Sequence, residues 1–338
     1  MFDWLMRRLP VPAQVAILET PAGFEPNSEL VARCIGEFLL YRLQNYQPRV
    51  QLIPARKRGT SFSPDEAEIV SPLRTADLIF LGPGSPTYAV RQLRDSLAWQ
   101  ALAARQRLGA ALVLSSSAAV AASAFALPVY EIYKVGEDLH WKAGLDFFAA
   151  YGLQLVIVPH WNNAEGGANL DTSRCWMGES RFLELHAMLP PEIVVIGVDE
   201  HTALVFDLPA ETCRVMGKGS VTLLRCGEEL RFQHGETFSV HQLGQFRPAQ
   251  LQEGIPQKVW EWMVDGKEPL TGEGKPSAEV LSLMEQRQDA RLRRDWAEAD
   301  ALRERLTSLG WQVSDTPQGP RLEQGIEQET KSASPKQS

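Results

Sequence analysis

The sequence predicts an α/β protein with a mostly parallel, doubly wound sheet, followed by a small C-terminal helical hairpin. Short apolar runs alternate with segments of helical periodicity through the first two hundred residues. Turns rich in small residues follow several of these apolar runs, and a polar Gly/Pro stretch precedes a charged helical segment near the C-terminus. Strands that alternate with helices are typical of a parallel sheet covered on both faces.

Strands and helices alternate regularly in the N-terminal part. The predicted strands cover residues 15–19, 49–55, 77–81 and 111–114. A helix beginning at Ser28, a short helix within 65–76 and a longer one after the glycine turn at 82–85 connect them. Ser28 suits an N-cap position because its hydroxyl can accept a hydrogen bond from a free backbone N–H.

The C-terminal part changes character twice. Residues 153–161 and 192–207 contain further strands, and residues 203–240 alternate short β-rich runs with glycine turns, which predicts an antiparallel extension of the sheet. The segment GKEPLTGEGKPS favours a connector. We therefore predict an α/β domain over 1–265, a linker over 266–277, a helical module over 278–323 and a disordered tail over 324–338.

Composition excludes several function classes. The 338 residues are 44% hydrophobic and carry a formal net charge of −8, which argues against a broad basic footprint for nucleic acid. The four cysteines lie far apart without metal-ligand spacing, so we expect reduced thiols in a cytoplasmic protein, with no metal and no cofactor. We expect no signal peptide and no contact with a membrane.

The candidate functional residues lie in the turns after Leu81, Leu114 and Pro159. Ligands bind at the carboxyl ends of strands in such sheets. The run SSSAA after Leu114 suits a nucleophile elbow, with Ser117 best placed and Ser116 second. A parallel strand followed by a small-residue helix packed closely on its neighbours is the simpler explanation of this stretch taken alone.

Two further segments supply a base and an acid. His160 directly follows an apolar strand, where a neutral imidazole can take a proton from a serine, and a purely structural histidine is the alternative. Glu200, in the segment GVDEHTAL, ends another strand and can orient the imidazole. Acidic strand ends also occur without catalysis.

The segments GPGSPTYAVRQLRDS, SSSAAV, PHW followed by arginines, and GVDEHTAL with GKGSVTLL resemble the cyanophycinase and aspartyl dipeptidase (peptidase E) family over residues 13–245. The resemblance implies a fold similar to the class I glutamine amidotransferases. It also implies a serine peptidase with Ser117 as nucleophile, His160 as base and Glu200 as acidic partner.

The same resemblance implies further roles. Gly84, Ser85 and Ala118 would supply oxyanion N–H groups, and Arg174 and Arg181, with Asn162, would bind the substrate, a small peptide or isopeptide. Both glycines of the family's G-x-S-A-G pattern are replaced here. The alternative is therefore a catalytically silent member that acts as a binding protein, and a homodimer is a further expectation.

The C-terminal segment has its own resemblance. Residues Glu285 to Leu322, with the motifs DWAEAD and DTPQG, resemble the C-terminal helical module of cysteinyl-tRNA synthetases, but the HIGH and KMSKS signatures of those enzymes are absent from the sequence. The resemblance implies weak contact with tRNA, and contact with a protein partner is the alternative. Helical spacing predicts that the second helix packs on the first through five side chains: Trp296, Ala299, Leu302, Leu306 and Leu309.

Overall fold

The computed structural model describes residues 1–265, 278–316 and 319–324. The chain divides into a large unit, which holds the helices and strands from Phe2 to Asp265, and a small unit, which holds those from Ala278 to Gln324. The predicted linker 266–277 and nearly all of the predicted tail lie outside the described residues, so the proposed domain boundaries stay a prediction.

The first sheet of the large unit is entirely parallel. Its strand order is β2-β1-β3-β4, built from β1 (Gln14–Leu18), β2 (Arg49–Ile53), β3 (Leu78–Leu81) and β4 (Ala111–Leu114). Leu81 lies in register with Leu114, so the ends of β3 and β4 meet at the same edge. This arrangement places the glycine turn and the serine run side by side.

Helices cover and connect these strands. In chain order they are α1 (Phe2–Met6), α2 (Ser28–Arg42), α3 (Ala67–Val70), α4 (Pro86–Leu93), α5 (Leu97–Arg107), α6 (Ser117–Ala121), α7 (Gly178–Ala187) and α8 (Gln257–Asp265). The segment after the glycine turn forms two helices rather than the predicted single one. Asp95 adopts a left-handed conformation with φ of 57°, and the Ser96 hydroxyl accepts from the N–H of Trp99 at 3.2 Å to start α5.

The remaining strands of the large unit form mixed and antiparallel sheets. They are β5 (Phe125–Ala126), β6 (Lys142–Ala143), β7 (Leu155–Val158), β8 (Val194–Val198), β9 (Thr202–Asp207), β10 (Thr212–Gly217), β11 (Ser220–Arg225), β12 (Glu228–Gln233) and β13 (Thr237–Ser239). One sheet has the order β12-β11-β8-β7, with β7 parallel to β8 and the others antiparallel, and a separate sheet has the order β13-β10-β9. The strands of residues 203–240 are antiparallel as predicted, but only β11 and β12 extend a sheet, while β9, β10 and β13 form a sheet of their own.

The small unit is a helical hairpin with a β-hairpin. It contains α9 (Ala278–Leu292), α10 (Trp296–Ser308), β14 (Trp311–Thr316) and β15 (Gly319–Gln324). Leu306 and Trp311 are buried in its core, while Trp296 is 57% exposed and Leu309 41% exposed. The prediction that Trp296 and Leu309 pack inward is therefore wrong: Trp296 is the first residue of α10, Leu309 lies just beyond its end, and Trp311 from β14 enters the core instead.

None of the helices in the described residues is long and apolar enough to cross a membrane. Within the same residues, no group of three or more His, Cys, Asp or Glu side chains is arranged to hold a metal ion. The four cysteines are free thiols, of which Cys175 and Cys213 are buried.

Candidate active site

The turn after β3 requires glycine at one position. Gly84 has a φ of +146°, and a Cβ atom there would lie 1.9 Å from the carbonyl oxygen of Pro21. The N–H of Ser85 donates to that same oxygen at 2.9 Å, and its hydroxyl accepts from the N–H of Tyr88 at 3.2 Å to cap α4. Because its N–H is already bonded to Pro21, which follows β1, Ser85 does not fit the oxyanion role that the resemblance implies.

The turn after β4 has the strand-turn-helix form that the serine run predicted. The N–H of Ser115 still bonds to the carbonyl of Leu81 at 3.0 Å, as a strand residue would, and α6 begins at Ser117. Between them, Ser116 makes the whole turn with φ of 52° and ψ of −114°. A non-glycine residue held at positive φ is strained, and such strain concentrates at functional sites.

Ser116, not Ser117, faces the histidine. The Ser116 hydroxyl oxygen lies 3.0 Å from Nε2 of His160. Ser117 is 3% exposed, and its hydroxyl donates to the carbonyl of Gly82 at 3.4 Å. The expected position of Ser117 beside His160 is therefore wrong by one residue, because α6 already begins at Ser117 and Ser116 makes the turn.

Two hydrogen bonds to its carbonyl oxygen hold the backbone of His160. It comes after β7 with φ of 52°, and its carbonyl accepts from the N–H groups of Asn163 at 3.2 Å and Cys175 at 3.1 Å. The indole ring of Trp176 lies 4.9 Å from the imidazole, centroid to centroid. These contacts leave Nε2 directed at Ser116 and Nδ1 directed at the end of β8.

Glu200 completes the chain of contacts as expected. Its Oε1 lies 3.1 Å from Nδ1 of His160 and accepts from the side-chain amide of Asn163 at 3.0 Å. These hydrogen bonds, the one from Asn163 first, lower the pKa of Glu200 below its usual range. The side-chain oxygen of Asn162 accepts from the backbone N–H of Glu200 at 2.8 Å, so Asn162 positions the acid rather than lining the cleft.

The turn that carries Glu200 is fixed by its buried neighbour. The carboxylate of Asp199 accepts from the N–H of Ser220 at 2.8 Å and from its hydroxyl at 2.7 Å. On the other side, Gly197 lies against the ring of Trp161, where a Cβ atom would approach to 2.2 Å. The segment GVDEHTAL therefore combines a catalytic candidate with residues that hold it in place.

Two backbone N–H groups beside Ser116 suit an anion. The N–H of Ala118 donates to the carbonyl of Ser115 at 3.1 Å, which removes it from the expected oxyanion role. Among the described residues, the N–H groups of Gly84 and Ser117 have no hydrogen-bond acceptor, and both residues line the cleft beside Ser116. The shift of the elbow by one residue moves the donor from Ala118 to Ser117 accordingly.

The two arginines assigned to the substrate have other partners. Nε and one NH2 of Arg181 donate to the carbonyls of Met177 at 2.6 Å and Trp176 at 2.9 Å. The guanidinium of Arg174 stacks 4.1 Å above the ring of Trp161 and donates to its carbonyl at 3.3 Å. Neither arginine lines the cleft, so the expectation that they bind substrate does not agree with their contacts.

The cleft itself has a volume of about 260 Å³. Residues that the sequence reasoning missed form much of its wall: Tyr130, Tyr133, Lys134, Glu165, Cys175 and Trp176. Several of them belong to or flank the π-helical turn Glu131–Val135, which carries no recognisable motif. The clustering of two tyrosines and a lysine within five residues was the only local signal.

A solved structure shares the fold of the large unit. The crystal structure of a peptidase from an acI-B1 Actinobacterium aligns with a TM-score of 0.52 and 19% identity, covering 67% of this chain and 83% of that chain. The large unit therefore shares the fold of that protein. The similarity concerns the fold alone, since only 19% of the aligned residues are identical.

The C-terminal segment matches a different family. Residues 274–320 match the cysteinyl-tRNA ligase anticodon binding domain. A cysteine–tRNA ligase of Methanosarcina mazei is 45% identical over 56 residues, and one of Burkholderia lata is 51% identical over 43 residues. The matches cover 17% and 13% of this chain but only 12% and 9% of the ligases, so the chain spans a small part of the length of these relatives.

Proposed function

We propose that this chain is a serine hydrolase that cleaves a peptide or isopeptide bond with Ser116, His160 and Glu200. One observation carries the proposal: an unbroken series of contacts runs from the Ser116 hydroxyl through both imidazole nitrogens to the Glu200 carboxylate, with distances of 3.0 and 3.1 Å. A nucleophile, a base and a group that orients the base are the parts of a catalytic triad.

Each group has a defined task in the proposed reaction. With the imidazole proton on Nδ1, His160 donates to Glu200 and accepts the Ser116 proton at Nε2 as the hydroxyl oxygen attacks the carbonyl carbon. The imidazolium then gives that proton to the leaving nitrogen as the acyl bond breaks. Water hydrolyses the resulting Ser116 ester by the same proton relay in reverse.

The lowered pKa of Glu200 suits its role. A carboxylate that stays ionised stabilises the positive charge that forms on His160 during the attack. The free N–H groups of Gly84 and Ser117 would stabilise the oxyanion of the tetrahedral intermediate. Loss of one such donor typically costs about 10²–10³ in rate.

A fluorophosphonate probe tests this proposal. We expect rapid labelling of the full chain and complete loss of labelling in Ser116→Ala, because the probe reacts with an activated serine oxygen. Ser115→Ala serves as the matched control and should label normally, and Ser117→Ala should label nearly as well because its backbone N–H remains. Labelling that depends on Ser117 and not on Ser116 would contradict the assignment, and no labelling at all would favour the silent binding protein.

A second candidate function belongs to the small unit. We propose that it contacts RNA weakly, as the name of the matched domain suggests. Trp296 is exposed in front of Arg291, whose guanidinium lies 5.8 Å from the ring centroid, and Arg293 and Arg294 flank it in the turn before α10. An exposed aromatic ring among cations suits stacking of an unpaired base. Pairing of Arg293 with Glu298 at 2.8 Å reduces the available positive charge.

Filter binding of unmodified tRNA to the full chain at several salt concentrations tests this function. Trp296→Ala should weaken binding by about 1–3 kcal/mol without changing the salt slope, because stacking releases no counterions. Arg294→Ala should reduce the slope by about 0.9 for a lost phosphate contact. Binding that is undetectable at low salt, or insensitive to both changes, would leave a protein partner as the better explanation. The homodimer stays a prediction.

A further inference from the structure

We infer that the cleft beside Ser116 selects a substrate with an aromatic or bulky apolar side chain next to the scissile carbonyl, in place of an acidic side chain. The inference depends on the proposed function only for the position of the reacting carbonyl at the Ser116 hydroxyl.

The walls of the cleft are mainly aromatic and aliphatic. Tyr130, Tyr133 and Trp176 contribute three rings, and Val120 and Val129 contribute aliphatic surface. Aromatic rings bind apolar groups by burying surface, and stacked or edge-on contact with another ring adds about 0.5–1.5 kcal/mol. The volume of about 260 Å³ lies just below the range of about 300–1,000 Å³ usual for small-molecule sites. Such a space suits one large side chain with its adjoining backbone.

Trp176 is fixed in the cleft by a strained loop. Arg174, Cys175 and Trp176 all have left-handed φ values, of 56°, 59° and 66°. Their N–H groups bond in turn to the carbonyls of Trp161 at 2.9 Å, His160 at 3.1 Å and Thr172 at 2.9 Å. These hydrogen bonds attach the loop to the segment that carries His160. The Trp176 ring lies next to the imidazole, and its indole N–H donates to Glu165 at 3.1 Å.

The arginines near the site support this loop instead of facing a substrate. Arg181 satisfies the carbonyls of Trp176 and Met177, and Arg174 covers the Trp161 ring. An arginine that recognises a carboxylate typically donates two parallel hydrogen bonds to it, which requires a guanidinium that is not already bonded elsewhere. The residues that line the cleft include one cation, the exposed Lys134, and one carboxylate, Glu165, so the lining has no net positive charge to attract an acidic side chain.

Ligand binding to the full chain carrying Ser116→Ala tests this inference without any catalysis. N-acetyl-phenylalanine amide and N-acetyl-aspartic acid α-amide are compared by isothermal titration or ligand-observed NMR. We expect the phenylalanine ligand to bind at least about tenfold more tightly, since pocket fit discriminates side chains by about this factor or more. Equal affinities, tighter binding of the aspartate ligand, or no saturable binding of the phenylalanine ligand would overturn the inference.

Wall substitutions in the same background locate the selection. Tyr133→Ala and Trp176→Ala should each remove most of the preference, and thermal melts show whether each variant is folded. Tyr41→Ala, an exposed tyrosine on α2, is the matched control and should leave the ratio unchanged. If the aspartate ligand binds more tightly than the phenylalanine ligand and Lys134→Ala abolishes that binding, the cleft selects acidic side chains and the inference is wrong. Fluorophosphonate labelling reports independently on the proposed function. The hydrolase proposal and the inferred side-chain preference can therefore fail separately.

Discussion

At the scale of the residue, the position of Ser116 depends on one strained backbone conformation. Its φ and ψ of 52° and −114° turn the chain between β4 and α6 and expose the hydroxyl to His160. Positive φ is most costly for branched or bulky residues, and serine is neither. The serine run allowed either of two residues to take this position, and Ser116 is the one whose hydroxyl lies 3.0 Å from Nε2 of His160.

Cys175 is the rival nucleophile, since it also lines the cleft. Burial raises the pKa of its thiol to about 12, and burial likewise raises the pKa of Cys213 to about 12. A raised pKa leaves the group as the unreactive thiol at neutral pH, because only the thiolate attacks. Iodoacetamide at pH 8 should therefore alkylate the exposed Cys34 and Cys226 while sparing the two buried thiols, as read by peptide mass mapping.

The denatured chain provides the control for alkylation. All four thiols should react once burial is lost. Rapid modification of Cys175 in the folded chain would show that its thiol is accessible and ionised, and a cysteine role in the cleft would then have to be considered beside Ser116.

At the scale of the element, the strand ends position the three side chains of the proposed triad. β4 leads to Ser116, β7 to His160 and β8 to Glu200. The parallel pairing of β7 with β8 places the latter two on adjacent strand ends, and the Ser123 hydroxyl after α6 accepts from the N–H of Ile157 in β7 at 2.8 Å. His160 and Glu200 are far apart in the sequence, and the pairing of β7 with β8 brings them together.

Gly197→Ala tests how β8 supports the site. The added methyl group would lie 2.2 Å from the ring of Trp161, which is 6% exposed and packs edge-on against Phe182 at 5.1 Å. We expect a loss of about 1–3 kcal/mol in the free energy of unfolding, typical of overpacking, together with slower fluorophosphonate labelling because Trp161 adjoins His160. Chemical denaturation and the labelling rate measure the two effects.

Gly36→Ala is the matched control for this substitution. It lies within α2, where the nearest contact of a new Cβ atom is the Val50 side chain at 3.3 Å. Alanine is favoured over glycine in a helix by about 0.5–1 kcal/mol, which offsets a small adjustment of Val50. A Gly197→Ala chain as stable as wild type would show that the Trp161 ring moves freely and does not position the histidine.

At the scale of the whole molecule, the proposed catalytic groups all belong to the large unit. Ser116, His160 and Glu200 precede α8, and α8 buries Val259, Trp262 and Met263 in a core that it shares with α5. The core of the large unit is therefore completed by a helix that ends at Asp265. The small unit has a core of its own, built around Leu306 and Trp311.

A chain that ends at Asp265 should keep both its melting temperature and its fluorophosphonate labelling, since every group of the site and the whole of α8 remain. A chain that ends at Pro256 lacks α8 and the buried side chains that this helix contributes. Its free energy of unfolding should fall by several kcal/mol, because removal of a single large buried side chain costs about 2–5 kcal/mol. Thermal melts of the two chains provide the comparison. Aggregation of the chain that ends at Asp265 would show that the large unit depends on residues beyond α8 for its stability.

The sequence by itself determined most of the order of strands and helices and the two residues that we propose as base and acid. Apolar runs of four to five residues and helical periodicity are local properties, so β1, β3, β4, β7 and β8 are evident from the chain alone. His160 and Glu200 come directly after such strands and needed no knowledge of side-chain contacts. The Asp295 cap of α10, whose carboxylate accepts from the N–H of Glu298 at 3.1 Å, was predictable for the same reason.

Only the tertiary structure decided which serine faces His160, which backbone N–H groups beside that serine have no acceptor among the described residues, and which residues line the cleft. A turn of three similar small residues offers several registers with nearly equal local energy, and contact with Gly82 and His160 selects among them. The partners of Arg174 and Arg181 are backbone carbonyls that carry no sequence signature. Tyr130, Tyr133 and Trp176 meet Ser116 only because separate segments pack together, and long-range packing of this kind leaves no pattern in the local sequence.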